Sequence, residues 1–236
     1  AGYTEILSLA LCSEDEAFKM LRRKDERADG GGRTSVRLDN PTTIEYEIAR
    51  TTLLPGLLKT LRENRSLSVK EGLKLFEISD VVTIADDTDV GARNTRHLAA
   101  VYTGPTSGFE IIHGLVDKIM MLLGVEPCHI AEPEGADAAG AGGGAASAAG
   151  GAGSGEAAAS PRKKKAGDAS GLTYGIYPST DPTLFPGHAA RIVVYGPGAE
   201  KGLEVGTFGT VHPEVLSNFE LVYPASIVEM TLEPFL

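Results

Sequence analysis

Glycine- and serine-containing segments come nearest to catalytic motifs in this sequence, but their spacing fits structural roles better. Residues 104–108 resemble a nucleophile elbow, yet Ser107 stands at the wrong position between the glycines,. Gly202, Gly206 and Gly209 fall in a strand-like run, and no Gly-Lys-Ser/Thr sequence follows them, as a phosphate-binding loop requires,. We therefore expect Ser107 to cap a helix, and the glycines to mark strand bends or close backbone contacts.

Histidines and cysteines could supply a base, a nucleophile or metal ligands. None of the five histidines has the spacing of a metal-binding pair, and Cys12 and Cys128 lie far apart,. Structural or solvent-exposed roles are expected for the histidines, and a reduced, cytosolic chain is expected from the cysteines. From the residues alone we predict no catalytic, cofactor-binding or metal-binding residue.

Glu77 is a carboxylate in a predicted strand, on the same face as Leu73 and Leu75,. A buried glutamate requires a cationic partner, for which Arg50 and Arg96 are the candidates. We favour an ion-paired structural role for Glu77 over a catalytic one.

The dense basic run of the chain comprises Arg162, Lys163, Lys164 and Lys165. With 22 Lys and Arg against 32 Asp and Glu, the net charge is −10 and argues against a free-standing nucleic-acid-binding protein,. These four residues are interpreted either as a weak RNA contact or as solubilising surface charge.

The positions of these residues depend on how the chain is organised. Residues 1–236 are predicted to form one domain, interrupted at residues 132–170 by a mobile, low-complexity insertion rich in Ala, Gly and Ser,. No signal peptide or membrane-spanning stretch is recognisable, and the start without Met suggests a fragment of a longer protein,.

Hydrophobic periodicity and capping signals predict an α+β fold with an antiparallel or mixed sheet flanked by helices. The predicted helices cover residues 14–23, 51–64, 109–123 and 213–218. The predicted strands cover residues 6–12, 36–39, 73–84, 97–102, 191–195, 203–211 and 227–232.

The second predicted helix carries a leucine stripe that is wider than contact with one sheet face needs,. We predict that Leu54, Leu58 and Leu61 contact a partner protein while the other edge of the stripe packs internally. The alternative is that all five leucines of the stripe, Leu53, Leu54, Leu57, Leu58 and Leu61, belong to the internal core.

Several long motifs resemble the β subunit of phenylalanyl-tRNA synthetase of the archaeal and eukaryotic cytosolic type. They are ARTTLLPGLLKTL at residues 49–61 with NR at 64–65, LFEISDVV at 75–82, DVGARN at 89–94 with RHL at 96–98, GFEIIHGL at 108–115, FPG at 185–187, GTFGTVHPEVL at 206–216 and EPFL at 233–236. The motifs occur in this order and cover most of the chain outside residues 132–170.

The resemblance implies the C-terminal part of that subunit, built like a class II synthetase core but without its catalysis. It implies a catalytic α subunit as partner in an (αβ)₂ heterotetramer, tRNA bound through the whole enzyme, and a cytoplasmic location. ATP and Mg²⁺ would be used by the parent enzyme, and no cofactor by this fragment. The alternatives are a self-contained ATP-binding ligase module and a class II-like regulatory paralogue.

Overall fold

The computed structural model describes residues 2–24, 34–65, 72–128, 171–199 and 201–236. The predicted insertion at 132–170, with the basic run at 162–165, lies outside the described residues. The described part has an α+β fold, as the sequence predicts. Its helices are α1 (Glu14–Ala17), α2 (Leu54–Glu63), α3 (Phe109–Leu122) and α4 (Pro213–Asn218). Its strands are β1 (Thr4–Glu5), β2 (Leu11–Cys12), β3 (Ile48–Ala49), β4 (Leu73–Ile84), β5 (Ala92–Thr103), β6 (Glu126–Pro127), β7 (Thr173–Pro178), β8 (Leu184–Tyr195), β9 (Leu203–Val211) and β10 (Ala225–Thr231).

Eight of these strands form one mixed sheet in the order β1-β4-β5-β10-β9-β8-β7-β6. The pairs from β4 to β7 are antiparallel, whereas the two-residue strands β1 and β6 pair in parallel at the outer ends. Short loops join β4 to β5, β7 to β8 and β8 to β9, because antiparallel neighbours need no crossover helix,. Strand β10 follows α4 in the sequence and lies between β5 and β9. Strands β2 and β3 form a separate small sheet.

The sheet packs a helix on each face, which gives two hydrophobic clusters. The leucines of α2 pack with Leu75, Val101 and Ile227 on one face. Ile112, Val116 and Met120 of α3 pack on the other face. The two faces follow from the alternation of side chains along each strand.

Helix boundaries follow the sequence signals in most places. Helix α2 begins just before Pro55, whose missing N–H costs nothing in a first turn,. Helix α3 ends before Gly124, which adopts φ +73° in the left-handed region expected of a C-terminal glycine,. Helix α4 covers the predicted residues.

Four sequence predictions need correction. The predicted strand at residues 36–39 is absent from the described residues, where only Arg37 forms an isolated bridge with Ile48. Helix α1 has the predicted capping box between Ser13 and Glu16 but stops at Ala17 rather than at residue 23. Ser107 caps nothing, because Gly108 is the residue before α3 and no side chain caps that helix. The predicted strand at residues 6–12 is reduced to its last two residues in β2, since the segment before them leaves the sheet.

Candidate functional site

The leucine stripe of α2 lies inside the chain's own core, which corrects the predicted partner surface. Leu54, Leu58 and Leu61 are 2%, 0% and 4% exposed, respectively, and Leu53 and Leu57 are fully buried. All five pack in one cluster with the sheet and α4. The stripe is wide because α2 is enclosed on several sides, so these leucines present no surface to a partner.

Beneath α2 lies the ion pair expected for Glu77. Arg50 Nη1 lies 2.7 Å from Glu77 Oε1, and the two side chains are 6% and 0% exposed. The same Nη1 donates to Ser8 Oγ at 2.9 Å, and the Ser8 hydroxyl donates to Glu77 Oε2 at 2.6 Å. Arg50 is therefore confirmed as the partner, whereas Arg96 pairs with Asp80 at 2.6 Å.

A second buried carboxylate, Glu229 of β10, lies at the start of α2. The Leu53 N–H donates to Glu229 Oε1 at 2.8 Å, and the Thr52 hydroxyl donates to Oε2. His97 Nδ1 lies 3.2 Å from Oε1. Glu229 thus replaces a side-chain N-cap, which the residue before the helix, Leu53, cannot provide,.

The environment of Glu229 acts on its pKa in two directions. Burial, the largest influence, raises the pKa of this carboxyl. The hydrogen bond with His97, the charges of Arg23 and His97, and the hydrogen bond from Thr52 outweigh it and hold the pKa below 4.5,. The carboxylate is therefore ionised at neutral pH and draws the start of α2 towards the sheet.

These two glutamates belong to a polar row that crosses one face of the sheet. Glu77 and Glu229 both pair with Ala99, Glu229 pairs with Thr207, and Thr207 pairs with Arg191. The outer part of the row borders a cavity of about 620 Å³. Its charges pair internally, since Arg191 lies 3.5 Å from Glu204 and Arg23 lies 3.8 Å from Asp181.

The outer side of α2 borders a groove of about 300 Å³, and residues 7–12 form the opposite wall. Leu7 and Leu9 stand at its edge and are 86% and 66% exposed. Ser8 between them points inward to the Arg50 network. The wall can approach α2 because Gly56 has no Cβ, which would collide with Ser8 Oγ,. We call this feature the α2 groove. Its lining residues are Leu7, Ser8, Leu9, Leu11, Cys12, Arg50, Thr52, Pro55, Gly56, Lys59, Thr60, Glu63 and Asn64.

None of the four described histidines lines this groove, and His97 contacts Glu229 instead. His113, His188 and His212 contact phenylalanine rings at centroid distances of 6.3, 6.0 and 6.2 Å, respectively. Within the described ranges, no three His, Cys, Asp or Glu side chains are grouped so that they could hold a metal ion. Cys12 is buried, and this raises the pKa of its thiol to about 12,. His129 lies outside the described residues.

Comparison with known proteins shows the family to which this chain belongs. The family described as "Phenylalanyl tRNA synthetase beta chain CLM domain" matches residues 1–232. The chain belongs to this family. It is 40% identical over 236 residues to the phenylalanine–tRNA ligase beta subunit of Caenorhabditis elegans and to that of Homo sapiens. It is 39% identical over 237 residues to that of Saccharomyces cerevisiae.

This chain, a member of the CLM domain family, matches only part of the length of each of these relatives. The alignments cover all of the chain but 31% of the worm and human proteins and 33% of the yeast protein. The chain therefore spans about a third of the length of the curated relatives it matches. Among the helices of the described ranges, none has the length and apolar content needed to cross a membrane.

Proposed function

We propose that this chain is a non-catalytic, structural module of the β subunit of phenylalanine–tRNA ligase. In this role it assembles with the catalytic α subunit and supports the ATP-dependent charging of tRNA with phenylalanine. The names of the relatives support a β subunit, and a β subunit implies an α partner. We further propose an (αβ)₂ assembly, tRNA bound through the whole enzyme, and a location in the cytoplasm, as in the Arabidopsis relative's name.

The observation that carries this proposal is the difference between the two sides of α2. Its inner side is occupied by buried leucines and by Glu229, so the charged groups there stabilise the fold. Its outer side remains a groove with two highly exposed leucines, Leu7 and Leu9. Exposed leucines beside a concave surface are typical of a protein contact.

We propose the α subunit as the occupant of the α2 groove. The network of Arg50, Glu77 and Ser8 fixes residues 7–9 against α2, so the groove exists before binding and little ordering is needed,. Within this proposal, the fold is a class II synthetase core that serves as a support, and ATP and Mg²⁺ act on the α subunit.

The experiment replaces both exposed leucines, as Leu7→Asp with Leu9→Asp, and measures the affinity of the chain for the α subunit. Burial of one leucine contributes about 1.5–3 kcal/mol, so the affinity should fall at least about tenfold. The melting midpoint should stay near that of the unchanged chain. The matched control is Val90→Asp, at an 84% exposed position in the loop between β4 and β5.

Undiminished α binding by the folded double variant would refute the α2 groove as the contact surface. A separate assay tests the non-catalytic role, because the chain alone should give phenylalanine-dependent pyrophosphate exchange no higher than a buffer blank. Exchange that persists through stringent purification would contradict that role.

A further inference from the structure

A small cavity of about 200 Å³ lies on the opposite face of the sheet, between β4 and α3. Lys74 of β4 and Lys118 of α3 both line it, so lysines from two different elements border the same cavity. The rest of the wall is the Tyr3 ring and an apolar strip of α3. The members of that strip are Ile111, Gly114 and Leu115.

Both lysines differ from most arginines of the described ranges because they form no ion pair there. Arginines of the described ranges mostly contact carboxylates, as Arg22 contacts Glu214 and Arg37 contacts Glu14. In the described ranges, neither Lys74 nor Lys118 forms an ion pair, and the contact recorded for Lys74 is with the Tyr3 ring, 5.9 Å from Nζ to the centroid. Two unpaired cations on one cavity create a local positive field within a chain of net charge −10,.

The third observation is the Tyr3 hydroxyl, which is buried and has no hydrogen-bond partner in the described part of the chain. An unpaired buried donor is destabilising, and native structures contain few of them. Burial, together with the nearby Tyr102, raises the pKa of Tyr3 to about 12, so the hydroxyl keeps its proton and remains a donor. A small rotation of the ring towards the cavity would give it an acceptor if an anion were bound there.

We propose that the cavity of Tyr3, Lys74 and Lys118 binds a phosphate group. Two ammonium groups act as point charges and suit a compact, doubly charged tetrahedral anion. The cavity is too small for a whole nucleotide, so the rest of a larger ligand would lie along the apolar strip of α3. The phosphate comes from one of two sources, a free phosphate or mononucleotide, or the terminal phosphate of an RNA.

Phosphorus NMR titrations of the 236-residue chain test the proposal with three probes. They are inorganic phosphate, adenosine 5′-monophosphate and a 5′-phosphorylated RNA tetramer, with adenosine and the unphosphorylated tetramer as controls followed by proton NMR. We expect saturable binding of the phosphorylated probes and none of the controls. Tighter binding of the RNA than of the mononucleotide identifies RNA as the source, and equal binding identifies a small phosphate.

Substitutions of the lining residues test whether phosphate binds in this cavity. Lys74→Gln and Lys118→Gln should each weaken binding about tenfold, which is about 1.4 kcal/mol. The charge-matched control, Lys201→Gln, changes an exposed lysine that does not line the cavity and should leave binding unchanged. Tyr3→Phe should weaken phosphate binding and yet leave the free chain as stable or more stable, since it removes the unpaired hydroxyl.

Failure of all three phosphorylated probes to bind would overturn the proposal. Binding that neither lysine variant weakens would also overturn it, since the anion would then occupy another place. A Tyr3→Phe chain that melts lower than the unchanged chain would refute the role given to the hydroxyl.

Discussion

Arg50 Nη1 lies 2.7 Å from Glu77 Oε1, and this pair joins the segment before α2 to β4, the first strand of the β4-β5 hairpin. Both side chains are removed from water, so each charge depends on the other,. Ser8 contacts both members and is thereby fixed beside the α2 groove. The same ion pair therefore stabilises the core and shapes the proposed contact surface.

Removal of one member of this pair should strongly destabilise the fold. Arg50→Ala leaves a buried, unpaired carboxylate on Glu77, and we expect a loss of about 3–5 kcal/mol in the free energy of unfolding. Urea-induced unfolding of the variant and of the unchanged chain measures this loss. The control is Arg62→Ala, whose partner Glu63 is 71% exposed and whose loss should change stability by less than about 0.5 kcal/mol,. Equal effects of the two substitutions would contradict the structural role of Arg50.

Glu229 should make stability depend on acid pH. Its pKa is lowered in the folded chain, so its contribution is present above about pH 4.5 and is lost as the pH falls through the folded-state value,. Glu229→Gln should cost about 1.5–3 kcal/mol at neutral pH, because hydrogen bonds to a buried charge are lost. Unfolding free energies of both chains, measured from about pH 7 to about pH 3, should converge on the acid side. A difference that stays constant across this range would exclude the carboxylate as the cause.

Leucines on the two sides of α2 should respond differently to truncation. Leu58 is fully buried, and Leu58→Ala should cost about 2–5 kcal/mol through lost burial and a residual cavity,. Leu7 is 86% exposed, and Leu7→Ala should stay within about 0.5 kcal/mol,. The melting midpoints of the two variants measure this difference in stability. If Leu58→Ala lowered the stability as little as Leu7→Ala, Leu58 would again be a candidate for the partner surface.

Two helical glycines provide a matched pair for the close approach at the α2 groove. In Gly56→Ala the new Cβ collides with Ser8 Oγ, and we expect a loss of about 1–3 kcal/mol from the displaced wall,. In Gly114→Ala the Cβ meets nothing within 4 Å, so the better helix propensity of alanine should stabilise the chain by up to about 1 kcal/mol,. Denaturant unfolding should show that Gly56→Ala destabilises the chain and that Gly114→Ala stabilises it. Stabilisation by both substitutions would refute the close contact between Gly56 and Ser8.

Much of the fold could be predicted from the sequence because its main signals are local. Strand β4 and strand β9 have the predicted limits, since alternation and turn residues define them,. Proline fixes the start of α4, and a glycine fixes the end of α3,. A buried carboxylate requires a cation, and this requirement limits the predicted partner of Glu77 to Arg50 or Arg96.

The errors around α2 have a common cause, which is packing between distant parts of the chain. Leucine spacing shows that α2 is apolar but not how many neighbours enclose it, so spacing alone could not show that Leu54, Leu58 and Leu61 lie in the internal core. Glu229 was missed because its partners, Thr52 and His97, lie far away in sequence. The signal available was a lone carboxylate in the apolar run at 225–231, a pattern that indicates a satisfied buried charge,.

The parallel pairing of β6 with β7 joins the two described ends that border residues 129–170. Glu126 pairs with Thr173 and Pro127 with Tyr174, so the chain leaves and re-enters the sheet at the same edge. Neighbouring exit and entry points allow extra sequence to be accommodated at a small cost in loop-closure entropy. This edge is therefore a suitable position for the genetic insertion of a fluorescent domain or affinity tag that would report on assembly without replacing either chain end.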